Sequence, residues 1–378
     1  MMFKNSTAKN VLRNLSNIPG WRTKRKIVVF ESDDWGSIRM PSNEVFSNLL
    51  KAGIDFLNDP GLSFNKYDSL ATSEDLASLF NVLSSVNDYT GRPAVFTPIS
   101  VIANPDFEKI RQANYTEYFF EPFTETLKRY PGCENSFALW KEGIDKRLFM
   151  PESHGREHLN VKVWMKALQE KHQKARVAFD NNMWGISTAN DPGIKLEFQA
   201  AFDFIDEVDL EYHKEVIISG LQVFEELFGY RATYFVPPNG PFSSILEHLC
   251  FLKGIKFLSV PKLQIEPLGS GRTIKKLNWM GKKGRSGIRY ITRNCLFEPF
   301  QNGRDWVDSC LHDIFIAFRW HKPAVISSHR INYVGALDKQ NRDRGLRQLG
   351  LLLTHILNKW PDAEFITSAE LGEIMCND

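Results

Sequence analysis

Short apolar runs alternate with amphipathic stretches along most of the chain. The apolar runs, several of them rich in β-branched or aromatic residues, predict buried parallel strands. They lie at residues 27–30, 93–97, 147–150, 176–179, 232–236, 256–260, 288–292, 324–327 and 363–366. Between them, apolar residues at helical spacing predict helices, among them residues 45–51, 157–171, 304–320, 342–359 and 368–375.

This alternation favours one α/β domain, most simply a barrel, over residues 26–378. A polar, basic extension at residues 1–25 precedes it, and no linker rich in Gly, Pro and Ser divides the chain. Residues 104–132 predict a long loop with a short helix, and residues 196–229 predict one long helix or two. Residues 262–287 are rich in Gly and Lys and predict a loop or an antiparallel excursion.

Composition narrows the function classes. The net charge of +2 lacks the strong excess of positive charge that is typical of nucleic-acid-binding proteins. The five cysteines are scattered without Cys-x-x-Cys spacing, which argues against a disulfide framework and favours a reducing compartment. The N-terminus has no apolar signal-peptide core, and no stretch approaches the ~20 apolar residues of a membrane span. We therefore predict a soluble, cytoplasmic protein with no membrane span.

Two short basic clusters occur at residues 22–26 and 282–285. We interpret both as solvated surface, with contact to an anionic ligand as the alternative.

Polar side chains follow several of the predicted strands. Asp33 and Asp34 follow the first strand, and His154, Asn239 and His329 follow later ones. The carboxyl ends of the strands surround the site of an α/β barrel. Neighbouring side chains of a strand point apart, so two adjacent acids in one site require a turn, which the following glycine permits. The alternative is an Asp-Asp pair that only caps the next segment.

The histidine pair adds a metal-binding pattern. His154 and His158 are four residues apart, which on a helix or at its first turn places both imidazoles on one side. With one aspartate they supply two nitrogens and one oxygen, a common ligand set for a catalytic divalent metal with open positions. The alternative is a pair of ordinary exposed or core histidines.

At these motifs the sequence resembles the polysaccharide deacetylases of carbohydrate esterase family four. The family's strand-Thr-Phe-Asp-Asp-Gly motif is matched by residues 31–36, Glu-Ser-Asp-Asp-Trp-Gly. Its His-Ser/Thr-x-x-His motif is matched by residues 154–158, His-Gly-Arg-Glu-His. Residues 236–240, Val-Pro-Pro-Asn-Gly, echo its Arg-Pro-Pro-Tyr-Gly motif, and residues 325–329, Val-Ile-Ser-Ser-His, match its late strand ending in histidine.

The resemblance implies a distorted (β/α)7–8 barrel that removes an N- or O-linked acetyl group from a sugar or glycan, with surface-polysaccharide assembly as a plausible setting. It implies a divalent metal, zinc first and cobalt, manganese or nickel as alternatives, held by Asp34, His154 and His158. Asp33 is then expected to be the general base, and His329 the general acid toward the leaving group.

The departures from the family pattern leave questions open. Val236 replaces an arginine that orients the catalytic aspartate, and Arg231, Arg330 and Arg156 are alternative replacements. Asn239 replaces a tyrosine whose backbone helps to hold the oxyanion. The family's Asp-Trp motif is absent. We expect substrate contacts from Trp35, Asn239 and Arg330, although Trp35 is equally suited to filling the barrel.

Two other functions remain as alternatives at this point. The loss of the third-motif arginine suggests a glycan-binding relic without turnover. A glycosidase is the other, with Asp33 and either Glu152 or Asp180 as its two carboxyls, but it leaves the histidine pair without a role.

Overall fold

The computed structural model describes residues 10–56, 63–188, 191 and 193–377. The first nine residues of the predicted extension lie outside them. The strands are β1 Lys26–Trp35, β2 Phe96–Ser100, β3 Ala103–Pro105, β4 Phe120–Pro122, β5 Glu152–Ser153, β6 Tyr234–Phe235, β7 Phe257–Ser259, β8 Leu263–Gly269, β9 Arg272–Leu277, β10 Arg289–Ile291, β11 Cys295–Leu296, β12 Ala324–His329 and β13 Ala363–Phe365.

The helices pack around these strands. They are α1 at residues 10–16, α2 Asn43–Lys51, α3 Ser73–Leu83, α4 Phe107–Gln112, α5 Phe123–Leu127, α6 Ser136–Asp145, α7 Val161–Gln169, α8 Gln173–Asp180, α9 Asp209–Phe228, α10 Glu247–Leu252, α11 Trp306–Arg319, α12 Lys339–Lys359 and α13 Ser368–Asn377. Every helix within the described residues is too short or too polar to span a bilayer.

One parallel sheet organises the fold. Its strand order is β10-β7-β6-β5-β2-β1-β12-β11, and β13 pairs with the first residues of β1. The pairings of β1 with β12, β2 and β13 are all parallel. In the β1–β12 ladder Asp33 lies opposite His329, so the register alone brings this carboxylate and this imidazole to the same end of the sheet.

The sheet is curled. One hydrophobic cluster contains Ile291 of β10, Tyr234 of β6 and Val325 of β12, although β10 and β12 lie near opposite ends of the sheet order. They meet only if the sheet bends round a common interior. Val28 and Phe30 point the other way, into the larger cluster between sheet and helices. This confirms the α/β class and a parallel barrel-like sheet.

Several predicted elements are wrong in type or place. Residues 176–179 belong to helix α8, because Ala175, Ala178 and Phe179 bury one helical face. Residues 147–150 form no strand; Phe149 makes a single bridge to Phe96. The helix predicted from residue 157 begins at Val161.

The antiparallel excursion is confirmed as the β8–β9 hairpin. The error at residues 176–179 arises because a four-residue apolar run is equally consistent with a strand or a buried helix turn.

Candidate active site

The two acids of β1 separate at a kink in the strand. The register between β1 and β2 shifts between Ser32 and Trp35, and Asp34 has φ +73°, in the left-handed region. Such backbone is costly for a residue other than glycine and persists where the surrounding structure enforces it. Gly36 then turns the chain at φ +81°, and a Cβ there would lie 2.3 Å from the Val101 carbonyl oxygen. The kink therefore gives Asp33 and Asp34 different surroundings in one site.

Asp34, His154 and His158 form one buried cluster. Asp34 Oδ1 lies 3.5 Å from His154 Nε2 and 3.2 Å from His158 Nε2. One ligand atom from each residue lies within 4.8 Å of the other two. The histidines stand in the loop between β5 and α7 rather than on a helix, where Gly155 at φ +93° turns the chain between them.

The donor set fits a divalent cation. His154 Nδ1 lies 2.6 Å from the Val236 carbonyl oxygen, so Nδ1 donates a proton there and Nε2 faces Asp34. Burial, helped by the charge of Arg39, lowers the pKa of His158 to about 4, so this imidazole is neutral at physiological pH. Burial raises the pKa of Asp34, but Arg39 and the imidazoles outweigh it, so this carboxyl is ionised. A neutral imidazole at His158 and an ionised carboxylate at Asp34 are the protonation states that a metal requires.

Asp33 is held by an arginine from a distant strand end. Arg293 Nη1 and Nη2 donate to the two carboxylate oxygens of Asp33 at 2.5 and 2.6 Å, and Nε donates to Glu31 at 2.5 Å. Burial raises the pKa of Asp33, but Arg293 outweighs it, and the pKa lies below its ordinary value. This bidentate pair with the guanidinium fixes the orientation of the Asp33 carboxylate and keeps it ionised.

His329 is paired with a second carboxylate. Its Nδ1 lies 2.6 Å from Glu298 Oε1, and its Nε2 lies 3.9 Å from Asp33 Oδ2. Burial alone would lower the pKa of His329, but Glu298 reverses this and raises it to about 10. The imidazole is therefore protonated at neutral pH and faces Asp33 with a proton on Nε2.

These groups line one cavity of about 500 Å³. Its wall also contains Arg39, whose guanidinium lies 3.4 Å from Asp34 and 4.7 Å from the centre of the Trp184 ring. The other lining residues are Phe64, Asn65, Asp68, Gln199, Val236, Pro237, Asn239, Gly240, Ser259, Val260 and Pro261. Burial raises the pKa of Asp68, although Arg330 and Arg39 act against it.

Two of the expected substrate contacts are wrong. Trp35 is 1% exposed, its ring packs against Phe149 and Trp140, and its Nε1 donates to Ser32, so it fills the core. Arg330 is completely buried and donates to Asp68 beneath the cavity wall.

Asn239 does line the cavity, at φ +55°. Its contact with substrate stays a prediction.

None of the three suggested arginines replaces the one missing at Val236. Arg231 is exposed and pairs with Glu225, and Arg156 pairs with its neighbour Glu157. Arg293 takes that place instead. Arg293 directly follows the predicted strand 288–292. Its position after a strand is therefore the same sequence signal that identified Asp33 and His329 as candidate site residues.

The second carboxylate of a glycosidase is also missing at the suggested positions. Glu152 accepts hydrogen bonds from the backbone N–H groups of Thr233 and Tyr234, which hold it between β5 and β6. Asp180 ends helix α8 with its side chain exposed. Glu298, which orients His329, was not predicted, and only the fold brings it to that ring.

No protein-family model matches the sequence, and a search of curated proteins finds no match. Solved structures of polysaccharide deacetylases are similar over most of the chain. One is a structure described as that of a polysaccharide deacetylase from Mycobacterium smegmatis. It is 9% identical to this chain, the match covers 95% of this chain and 93% of that protein, and the TM-score is 0.43. Another is a structure described as that of a glycoside hydrolase/deacetylase from Parabacteroides distasonis. It is 9% identical, the match covers 95% of this chain and 73% of that protein, and the TM-score is 0.48.

A pseudoenzyme of carbohydrate esterase family four from Bacillus anthracis is also similar, at 9% identity, coverages of 92% and 66%, and a TM-score of 0.39. Likenesses with TM-scores below 0.5 carry no conclusion about the chemistry of this chain.

Proposed function

We propose that this protein is a metal-dependent hydrolase that removes an acetyl group from a sugar or glycan. The observation that carries the proposal is the composition of the cavity wall. It combines the buried cluster of Asp34, His154 and His158, an ionised Asp33 fixed by Arg293, and a protonated His329 only 3.9 Å from Asp33. The motifs that resemble the polysaccharide deacetylases fall on these same residues.

Asp34, His154 and His158 would hold the metal. A divalent cation in such a site polarises a carbonyl group and makes water a better nucleophile near neutral pH. We favour zinc, because two imidazoles and one carboxylate are a common zinc ligand set, with cobalt, manganese and nickel as alternatives. Arg39 lies against Asp34 and limits its rotation.

Asp33 and His329 would divide the proton transfers. Asp33 is ionised and accepts the proton of the attacking water, which makes it the general base. His329 is protonated and donates its Nε2 proton to the departing nitrogen or oxygen, which makes it the general acid. Glu298 on Nδ1 fixes the ring so that this proton faces the cavity.

The substrate is proposed by class only. A cavity of about 500 Å³ is large enough for a sugar ring with its acetyl group. Asn239 in the turn after β6 is the remaining candidate for a substrate contact. A role in surface-polysaccharide assembly is part of the proposal, and the assay below decides between N- and O-acetyl substrates.

The test is acetate release from a panel of N- and O-acetylated sugars, after loading with zinc, cobalt, manganese or nickel. We expect release by the wild type and a loss of at least about 10²-fold in Asp33→Asn, since a general base contributes roughly 10²–10⁴-fold. His329→Gln should lose activity comparably. Metal-loaded wild type that releases no acetate from any substrate contradicts the proposal.

A further inference from the structure

The two basic clusters that the active site does not use lie beside each other. Trp21 N–H donates to the Met280 carbonyl at 2.8 Å, and a Cβ on Gly281 would lie 2.7 Å from the Trp21 Cβ. Lys262 Nζ also lies 3.1 Å from Ser16 Oγ at the end of α1. The fold thus joins residues 10–25 to residues 262–287, which are more than 230 positions apart. We call these two segments together the basic face.

The basic face has a charge unlike that of the whole chain. Its two segments contain eleven lysines and arginines and a single acidic residue, Glu266, whereas the complete chain has 47 basic and 45 acidic residues. Glu266 is itself buried and paired with Lys276. The remainder of the chain is therefore net acidic. Three cations of the basic face, Arg13, Arg25 and Arg272, pair with Asp313, Glu364 and Glu207 from outside it, and the excess of positive charge in the two segments remains.

The hairpin of the basic face turns its apolar residues outward. In β8, Gln264 and Glu266 are buried whereas Leu263 and Ile265 are exposed, the reverse of a strand that packs on a core. Opposite residues of an antiparallel pair share one side, so Leu277 lies beside Leu263, and Lys275 beside Ile265. Leu263 is 56% exposed and Leu277 is 69% exposed.

This orientation is enforced by the buried side of the hairpin. Ser244 donates to Glu266 through its backbone N–H at 2.9 Å and its hydroxyl at 2.8 Å. Asn278 donates to Gln264 at 3.0 Å. The hairpin is therefore anchored by hydrogen bonds, and its leucines cannot turn inward without breaking them.

Helix α1 adds more exposed apolar surface next to the hairpin. Leu12 is 65% exposed, and Val11 and Leu15 are exposed as well. The helix is fixed in place, because Arg13 pairs with Asp313 at 3.3 Å and Asn14 accepts a hydrogen bond from Trp320. Exposed Trp279 follows the hairpin and lies against Gly20 of the N-terminal segment, with Lys282 Nζ 4.9 Å from its ring centre.

We infer that the basic face binds the surface of an anionic lipid bilayer. Exposed leucines, isoleucines and a tryptophan among lysines and arginines match the apolar boundary and negative headgroups of such a surface. A second copy of this chain is a poorer occupant, since two such faces would bring like charges together. The face begins next to the active-site cavity, because Pro261 lines the cavity and Lys262 follows it.

Co-sedimentation with vesicles tests this inference on the full chain. One set of vesicles is phosphatidylcholine alone, and the other contains about one-third phosphatidylglycerol. We expect binding to the anionic vesicles that weakens as salt increases, and little binding to the neutral ones. The double variant Leu263→Ser/Leu277→Ser should bind at least about 10-fold more weakly, because each leucine loses its apolar burial in the bilayer.

Matched controls separate this surface from general effects. Leu351→Ser removes an exposed leucine of α12, and Lys166→Glu reverses an exposed charge of α7; both should bind like the wild type. Lys275→Glu/Lys283→Glu should lose the preference for anionic vesicles. All altered positions are exposed, and circular dichroism verifies folding.

Three results would overturn the inference. They are a wild type that ignores anionic vesicles, a leucine double variant that binds them unchanged, and a dimer in solution that the leucine double variant dissociates. Because the vesicle assay does not depend on acetate release, its outcome is independent of the proposed hydrolase activity.

Discussion

Arg293 offers the sharpest test of the active site. It is the only link that the described contacts show between the strand end after β10 and the carboxylates of β1, donating to both Asp33 and Glu31. The variant Arg293→Ala removes all three of these hydrogen bonds. It leaves two buried carboxylates, one of them completely buried, without their cation.

The cost in stability follows from that burial. Removing one partner of a buried ion pair costs about 3–5 kcal/mol, because the other charge stays desolvated. The Arg293 side chain is 19% exposed, so water can enter after truncation and we expect about 3 kcal/mol, at the low end. For 378 residues the unfolding entropy is about 0.8 kcal/mol/K, which converts this loss into a fall of about 4 °C in Tm.

The cost in activity should be larger than stability explains. Asp33 loses the two hydrogen bonds from the Arg293 guanidinium that orient it. We therefore expect kcat/KM for acetate release to fall by about 10²-fold or more. Arg293→Lys keeps the charge but not the two-pronged geometry, so it should regain stability better than activity. In an Asp33→Asn background, Arg293→Ala should change activity little further, since both act on one group.

Arg231→Ala is the matched control. Its guanidinium is exposed and pairs with exposed Glu225, so the change should cost at most about 1 kcal/mol and leave acetate release unaffected. The measurements are thermal melts and kcat/KM on the best substrate of the panel. An Arg293→Ala enzyme that keeps wild-type kcat/KM would refute the assignment of Arg293 as the orienting arginine.

Three further predictions address the remaining parts of the site. His158→Ala should lose the bound metal in elemental analysis, whereas His172→Ala, which removes a partly buried histidine paired with Asp191 outside the cavity lining, should keep it. The pKa of His329 is about 10 in the fold against 6.5 unfolded, so its contribution to stability is complete below pH 6.5 and disappears as pH rises through about 10. Glu298→Gln should therefore move the alkaline limb of kcat/KM to lower pH, and an unmoved limb would exclude Glu298 as the cause. Trp35→Ala should lower the free energy of unfolding, measured by denaturant titration, by about 3–5 kcal/mol, because the Trp35 ring fills the core. Trp35→Phe should keep the substrate preference of the wild type, since this ring does not form part of the binding surface.

Local pattern was sufficient for the alternation of strands and helices over much of the chain and for five polar residues at strand ends. Asp33, Asp34, His154, Asn239 and His329 were found this way, because parallel strands deliver whatever follows them to one edge of the sheet. The structure brings all five to one cavity. Periodicity was insufficient where a run was short, as at residues 176–179, since four apolar residues fit a strand or a helix turn.

Only the tertiary structure decided which side chains cooperate. The pairing of Asp33 with His329 depends on the register of β1 and β12, and the partnership of Asp33 with Arg293 depends on the curl of the sheet; neither is encoded in nearby residues. The kink at Asp34 sent Trp35 into the core rather than the cavity. The same holds for the basic face, because two charged segments more than 230 positions apart in the sequence become one surface only in the folded chain. Sequence spacing specifies local conformation, whereas distances between remote side chains are properties of the folded sheet.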